Sequence, residues 1–132
     1  MCNVRTAKIR YSTSCMAKLV PEDHPALHGI AEEVPLEDIT SPKIKKVIKD
    51  MRKALHDYNV EGFSGVAIAA PQIGVPLRIF LVEDMAEERD EDEATIPALV
   101  AINPKIVKRS KQTHTVGEGC LSVSERYGAV KR

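Results

Sequence analysis

Tryptophan is absent, and the only aromatic residues are three Tyr and two Phe. A core built from this chain therefore rests on Ile, Val, Leu and Ala rather than on large rings. Net charge is also missing, since 19 Lys and Arg offset 19 Asp and Glu. That argues against a general binder of nucleic acid or of an anionic membrane, both of which need a basic field. No apolar run approaches the roughly 20 residues of a membrane-spanning helix. The longest block, Val66 to Pro71, is interrupted by small side chains. Disulfide spacing is absent too: Cys2, Cys15 and Cys120 are odd in number and far apart, the pattern of free thiols or ligands in a reducing compartment. The N-terminus has no secretory apolar segment, so a cytoplasmic location is expected. Its first twenty residues do carry Arg5, Lys8, Arg10 and Lys18 with no acid. Organelle presequences share that composition; the plainer reading is a poorly ordered extension over residues 1–18, with Met16 a candidate start.

What is present fits one globular domain over residues 19–132: 43% apolar and 29% charged residues, in a chain long enough to bury its own core. Residues 19–35 read as loop, with Pro21, Pro25 and Pro35. Ser41-Pro42 is a helix start, a capping hydroxyl followed by a residue that needs no N–H partner. Ile44, Val47, Ile48, Met51, Leu55 and Tyr58 then recur with helical spacing and predict one apolar face. Lys45, Lys46, Lys49, Arg52 and Lys53 form the opposite, solvated face, and Asn59 and Gly62 are the expected stop. Strand patterns follow. Gly65 to Ala70 is small and apolar, and Leu77 to Val82 reads as buried on both faces apart from Arg78. Residues 83–93, with eight acids and one Arg, read as a solvated loop. Leu99 to Ile102 is another strand, Asn103-Pro104 a turn, and Ile106-Val107 the start of a return strand. Two more strands fit 113–123 and 127–131. A helix followed by antiparallel strands predicts an α+β fold.

Two blocks carry candidate chemistry. Gly65-Val66-Ala67-Ile68-Ala69-Ala70-Pro71-Gln72-Ile73-Gly74 combines small residues, which let another backbone approach, with a Gln that supplies a neutral amide donor. From composition alone it is a tightly packed strand ending in a turn. Gly117-Glu118-Gly119-Cys120-Leu121-Ser122 places a Cys between small residues on a strand. That Cys could be a metal ligand, a nucleophile or a packed thiol, and taken alone the packed thiol is the better reading.

Together and in this order, the two blocks resemble the first two motifs of the peptide deformylase family, G-x-G-x-A-A-x-Q and E-G-C-x-S. The likeness extends to Asp23-His24-Pro25-Ala26-Leu27, to Ile102-Asn103-Pro104 and to Val130-Lys131-Arg132, and so covers residues 19–132. What the resemblance implies is hydrolysis of the N-formyl group from the formyl-methionine of nascent proteins, with the ribosome and formylated peptides as partners. It further implies a divalent metal, Fe²⁺ in many members and Zn²⁺, Ni²⁺ or Co²⁺ in others. Cys120 would be the sulfur ligand, the Gln72 amide and the Leu121 backbone N–H the oxyanion donors. Gly65 and Val66 would pair with a peptide added as a strand, beside Gly119. Glu118 would orient structure rather than react.

The departures matter. Ala67 stands where the family usually has a second glycine. More seriously, the third motif, H-E-x-x-H, does not occur among the four histidines His24, His28, His56 and His114. His24 and His28 have the i, i+4 spacing but Pro25 between them, and read as surface residues. His114 lies too far along a strand from Cys120 for direct pairing, and His56 reads as a solvent-side or helix-end cation. The expectation is a deformylase-like fold without its C-terminal helix, catalytically incomplete, binding metal weakly or not at all. The apolar faces of 65–70, 77–82 and 117–123 are then expected to be under-covered. A non-catalytic module that binds N-terminal peptides by strand addition is the alternative.

Overall fold

The computed structural model describes residues 17–60, 63–83 and 97–132. Expectations about the extension before residue 17, Gly62 and most of the acidic run fall outside these. The first helix, α1 (Pro25–His28), is a single turn within the segment expected to be loop. His24 caps it, its Nδ1 accepting from the Ala26 N–H at 3.2 Å. A 3-10 turn follows at Leu36–Asp38.

The main helix, α2 (Pro42–His56), starts where the sequence places it, with the Ser41 hydroxyl accepting from the Ile44 N–H at 3.3 Å. It buries Ile44, Val47, Met51, Ala54 and Leu55, while Ile48 is only half-buried at the edge of that stripe. Ala54 was not in the predicted face; its side chain is small enough to sit beneath the sheet where a larger one would hold the layers apart. The lysine-rich face is exposed and is laced by Lys46–Asp50 and Lys53–Asp57 pairs, each 2.6 Å. The helix ends at His56, three residues before the expected Asn59. Its last turn tightens, with the Tyr58 N–H reaching the Leu55 carbonyl. Asn59 instead enters β1 (Asn59–Val60), paired with β2 (Phe63–Ser64).

The central sheet is antiparallel, in the order β3 (Ala67–Ala69), β4 (Ile79–Val82), β5 (Leu99–Ile102). Ile68 faces Leu81 across one ladder, and Ile79 faces Ile102 across the next. α2 packs on β3, β4 and the 3-10 turn Ala70–Ile73. The core is thus one layer of contact between Leu55, Met51 and Val47 on the helix and Ile68, Ile79 and Leu81 on the sheet. Burying an aliphatic side chain of this size contributes about 1.5–3 kcal/mol. β4 is not buried on both faces as its composition suggested: Ile79 and Leu81 are buried, but Phe80 and Val82 are half-exposed. The expected bare faces divide accordingly. α2 covers the face of Ile68, Ile79 and Leu81, whereas the second sheet, β6 (Thr115–Cys120) with β7 (Val123–Lys131), exposes most of β6, including Val116.

The N-terminal segment is fastened to this sheet by side chains. Asn103, at φ +53°, accepts from the Val34 N–H at 2.7 Å and donates to the Val34 carbonyl at 2.8 Å. Arg78 donates to the Ala31 carbonyl and pairs with Glu33. A single parallel bridge joins Glu32 and Leu77. No described strand pairs with Ile106 or Val107. Asn103 and Pro104 turn the chain out of β5, and both residues end exposed in coil rather than in the expected return strand. The architecture is α+β, as the element pattern predicts.

Candidate active site

Gly65 lies buried directly after β2, where a side chain has no room. A Cβ there would stand 2.7 Å from Leu55 Cδ1 and 2.8 Å from Leu121 Cδ2. The glycine therefore lets Leu121 close down on the helix and brings the β6–β7 hairpin against the start of β3. β3 is the outer strand of its sheet, and Gly65, Val66 and Ala67 line a groove of about 400 Å³ between it and the hairpin. The Val66 carbonyl accepts from the Glu83 N–H at 2.9 Å, which fixes the strand entrance.

Gln72 sits on the 3-10 turn after β3, a turn closed by Gly74 in the left-handed region at φ +79°. Its amide is held at both ends. Oε1 accepts from the Ala69 N–H at 2.9 Å, and Nε2 donates to Ser122 Oγ at 3.0 Å. The same nitrogen lies 4.0 Å from Cys120 Sγ. Because the carbonyl end is occupied by backbone, the NH₂ end is the one presented to the groove. Cys120 is an exposed free thiol on the groove wall and not the packed thiol its small flanks suggested. Gly119 and Leu121 line the groove beside it, with Leu121 in the tight turn between β6 and β7.

Gln72, Cys120, Leu121, Gly65, Val66 and Gly119 thus share one groove. The histidines do not join them. His24 caps α1, and His28 Nε2 is 2.8 Å from the Glu22 carbonyl. His56 faces Glu83 at 3.4 Å. His114 exchanges backbone hydrogen bonds with Arg132 at the far end of the hairpin from Cys120. Among the described residues no group of three His, Cys, Asp or Glu side chains is placed to hold a metal ion. Glu118 takes two hydrogen bonds from the Arg132 guanidinium, and this lowers its carboxyl below the usual Glu value.

Sequence reasoning did not find Ser122 as the partner of Gln72, nor Tyr58, Arg126 and Tyr127 on the groove wall. Ser122 had a signal, a hydroxyl two residues past the Cys. The other three had none, because only the closure of the hairpin on the sheet brings them there.

Comparison with known proteins bears on the family and the fold. The family described as polypeptide deformylase matches residues 16–132. A chloroplastic peptide deformylase 1A of Solanum lycopersicum is 38% identical over 126 residues, covering 89% of this chain and 44% of that protein. The peptide deformylase of Nitrobacter hamburgensis is 38% identical over 98 residues, covering 74% of this chain and 52% of that protein. Among solved structures, a Met-Ala-Ser-bound class I type b peptide deformylase from Acinetobacter baumannii superposes with a TM-score of 0.73 at 29% identity, over 86% of this chain and 69% of that one. The chain spans about half the length of the curated relatives it matches.

Proposed function

The chain belongs to the peptide deformylase family, and on that premise we propose that its groove is the peptide-binding and oxyanion-donating part of a site that hydrolyses the N-formyl group of formyl-methionine on nascent proteins. The observation that carries the reading is the Gln72 amide, with its carbonyl end fixed by Ala69 and its NH₂ end turned toward Cys120 and Ser122. A donor already held in place stabilises a developing oxyanion without reorganising, at roughly 3–4 kcal/mol for one such group. The Leu121 N–H is the second donor in this reading. Gly65 and Val66, on the groove side of an outer strand, accept the peptide backbone as an added strand.

Deformylases are metal-dependent hydrolases, and Cys120 is the sulfur ligand by its place in the second motif. Among the described residues, those around Cys120 do not by themselves fit a resident divalent ion. One thiol with no histidine beside it supplies a single ligand, where a catalytic ion takes three from the protein. We therefore assign the chain binding and orientation, and no bond-breaking step. The polypeptide as it stands is proposed to bind peptides without turnover, which is also what a non-catalytic N-terminal peptide module would do. The formed groove beside an outer strand supports that second reading. Formylated nascent chains at the ribosome are the proposed partners.

The similar tomato protein is chloroplastic. This supports an organellar compartment, which the basic, acid-free first twenty residues also allow, beside the cytoplasm expected from the lack of a secretory segment. Among the described residues no helix is long and apolar enough to cross a membrane.

The test is a titration of the isotope-labelled chain with formyl-Met-Ala-Ser, followed by amide shifts and by formate release. Shifts at Val66, Gly119 and Leu121, weakened in Gln72→Ala, with no formate formed, are expected. Absence of any binding would refute the groove assignment, and formate release abolished by Cys120→Ala would refute the lack of turnover.

A further inference from the structure

We propose that Arg126 is a specificity residue of this groove, selecting peptides that carry a carboxylate beyond the first methionine; this rests on the groove being a peptide site. The β6–β7 ladder jumps from the Gly119–Tyr127 pair to the Cys120–Val123 pair, leaving residues 124–126 out of register. Bulges of this kind re-aim side chains beside functional sites, and here the bulge brings Arg126 onto the groove wall. Arg126 is the one cationic side chain among the described residues of that wall.

Its present partner is weak. Arg126 Nη1 stands 3.6 Å from Glu22 Oε1, beyond hydrogen-bonding distance, with the two side chains 74% and 58% exposed. Open pairs of this type contribute little, so a carboxylate on a bound peptide can replace Glu22 at small cost. The planar guanidinium favours a carboxylate over a neutral amide because it can donate two parallel hydrogen bonds. Beside it, the Tyr127 ring lies against Gly119, where a Cβ would come within 2.7 Å of Cε1.

The experiment uses the 132-residue chain and C-terminally amidated tetrapeptides, Met-Ala-Ala-Ala and its variants with one Asp at the second, third or fourth position. Affinities come from amide chemical-shift titrations. One Asp peptide is expected to bind about two- to fivefold tighter than the all-Ala peptide at low salt, the range of an exposed ion pair. That ratio should fall toward one in 0.5 M salt. The free-acid form of Met-Ala-Ala is the second arm. A gain over its amide would assign the carboxylate to a chain end, and a gain only for Asp would assign it to a side chain. Arg126→Gln should bring the Asp peptides to the level of the Ala peptide, with its folded spectrum retained. Glu22→Gln should widen the ratio, because it removes the competing carboxylate. Equal affinities for every peptide, or a ratio that survives in Arg126→Gln, would overturn the inference and leave the groove reading standing. Binding of none of the peptides would overturn the groove reading and this inference with it.

Discussion

Replacing Gly65 with Ala places a methyl group about 2.7 Å from Leu55 Cδ1 and 2.8 Å from Leu121 Cδ2. Two effects oppose each other. The backbone of Gly65 lies outside the left-handed region, so alanine can adopt it, and the stiffer unfolded chain gains the native state about 0.4–1 kcal/mol. Overpacking costs about 1–3 kcal/mol. The cost should sit in that range because Leu55 is fully buried and cannot swing away, whereas Leu121 is partly exposed and can move. Overpacking therefore wins, with a net loss of about 1 kcal/mol, or a Tm lower by roughly 3–6 °C for a chain of this size. Gly117→Ala is the control, since nothing lies within 4 Å of a Cβ there; it should be neutral or slightly stabilising. The assay is urea unfolding followed by circular dichroism for both variants. If the clash is the cause, Leu121→Ala should offset part of the Gly65→Ala loss, giving a coupling of about 0.5 kcal/mol or more. Gly65→Ala as stable as Gly117→Ala, or purely additive with Leu121→Ala, would refute the reasoning.

Asn103→Ala should destabilise by about 2–4 kcal/mol in the same urea assay, because the Val34 N–H and carbonyl lose their partners and alanine resists the positive φ; a loss under about 0.5 kcal/mol would show that water replaces the clamp freely. Arg132 holds the Glu118 carboxyl below its ordinary value of 4.5. The folded pKa is then lower than the unfolded one, so the stabilising contribution is complete above the unfolded value and is lost as pH falls through the folded one. A side-chain carboxyl NMR titration should give a midpoint below 4.5 that moves up in Arg132→Gln, and an unshifted midpoint in the unmodified chain would contradict the pairing. Added Zn²⁺ should raise the melting temperature little, since one thiolate supplies only part of a site; a sharp rise of many degrees that disappears in Cys120→Ala would point to a complete set of ligands within these residues.

The local features were legible because their cause is local. The spacing from Ile44 to Leu55 fixes one apolar stripe whatever it packs on, and Ser41-Pro42 satisfies the first free N–H groups without help from elsewhere. The two motif blocks, with Gln72 and Cys120, could be singled out from residue type and order alone. The tertiary structure decided what depended on partners distant in sequence. Whether Cys120 is packed or exposed turned on what the hairpin meets in the folded chain, where the thiol stands exposed on the groove wall. Ile106 and Val107 have the composition of a strand, but a strand needs an edge to pair with, and the turn at Asn103-Pro104 takes them away from one. Asn103 itself reads in the sequence as a turn residue. Its role as a substitute backbone partner for Val34, 69 positions away, exists only once the N-terminal segment has folded across β5, because a side-chain amide gains that function from what it meets and not from its neighbours in the chain.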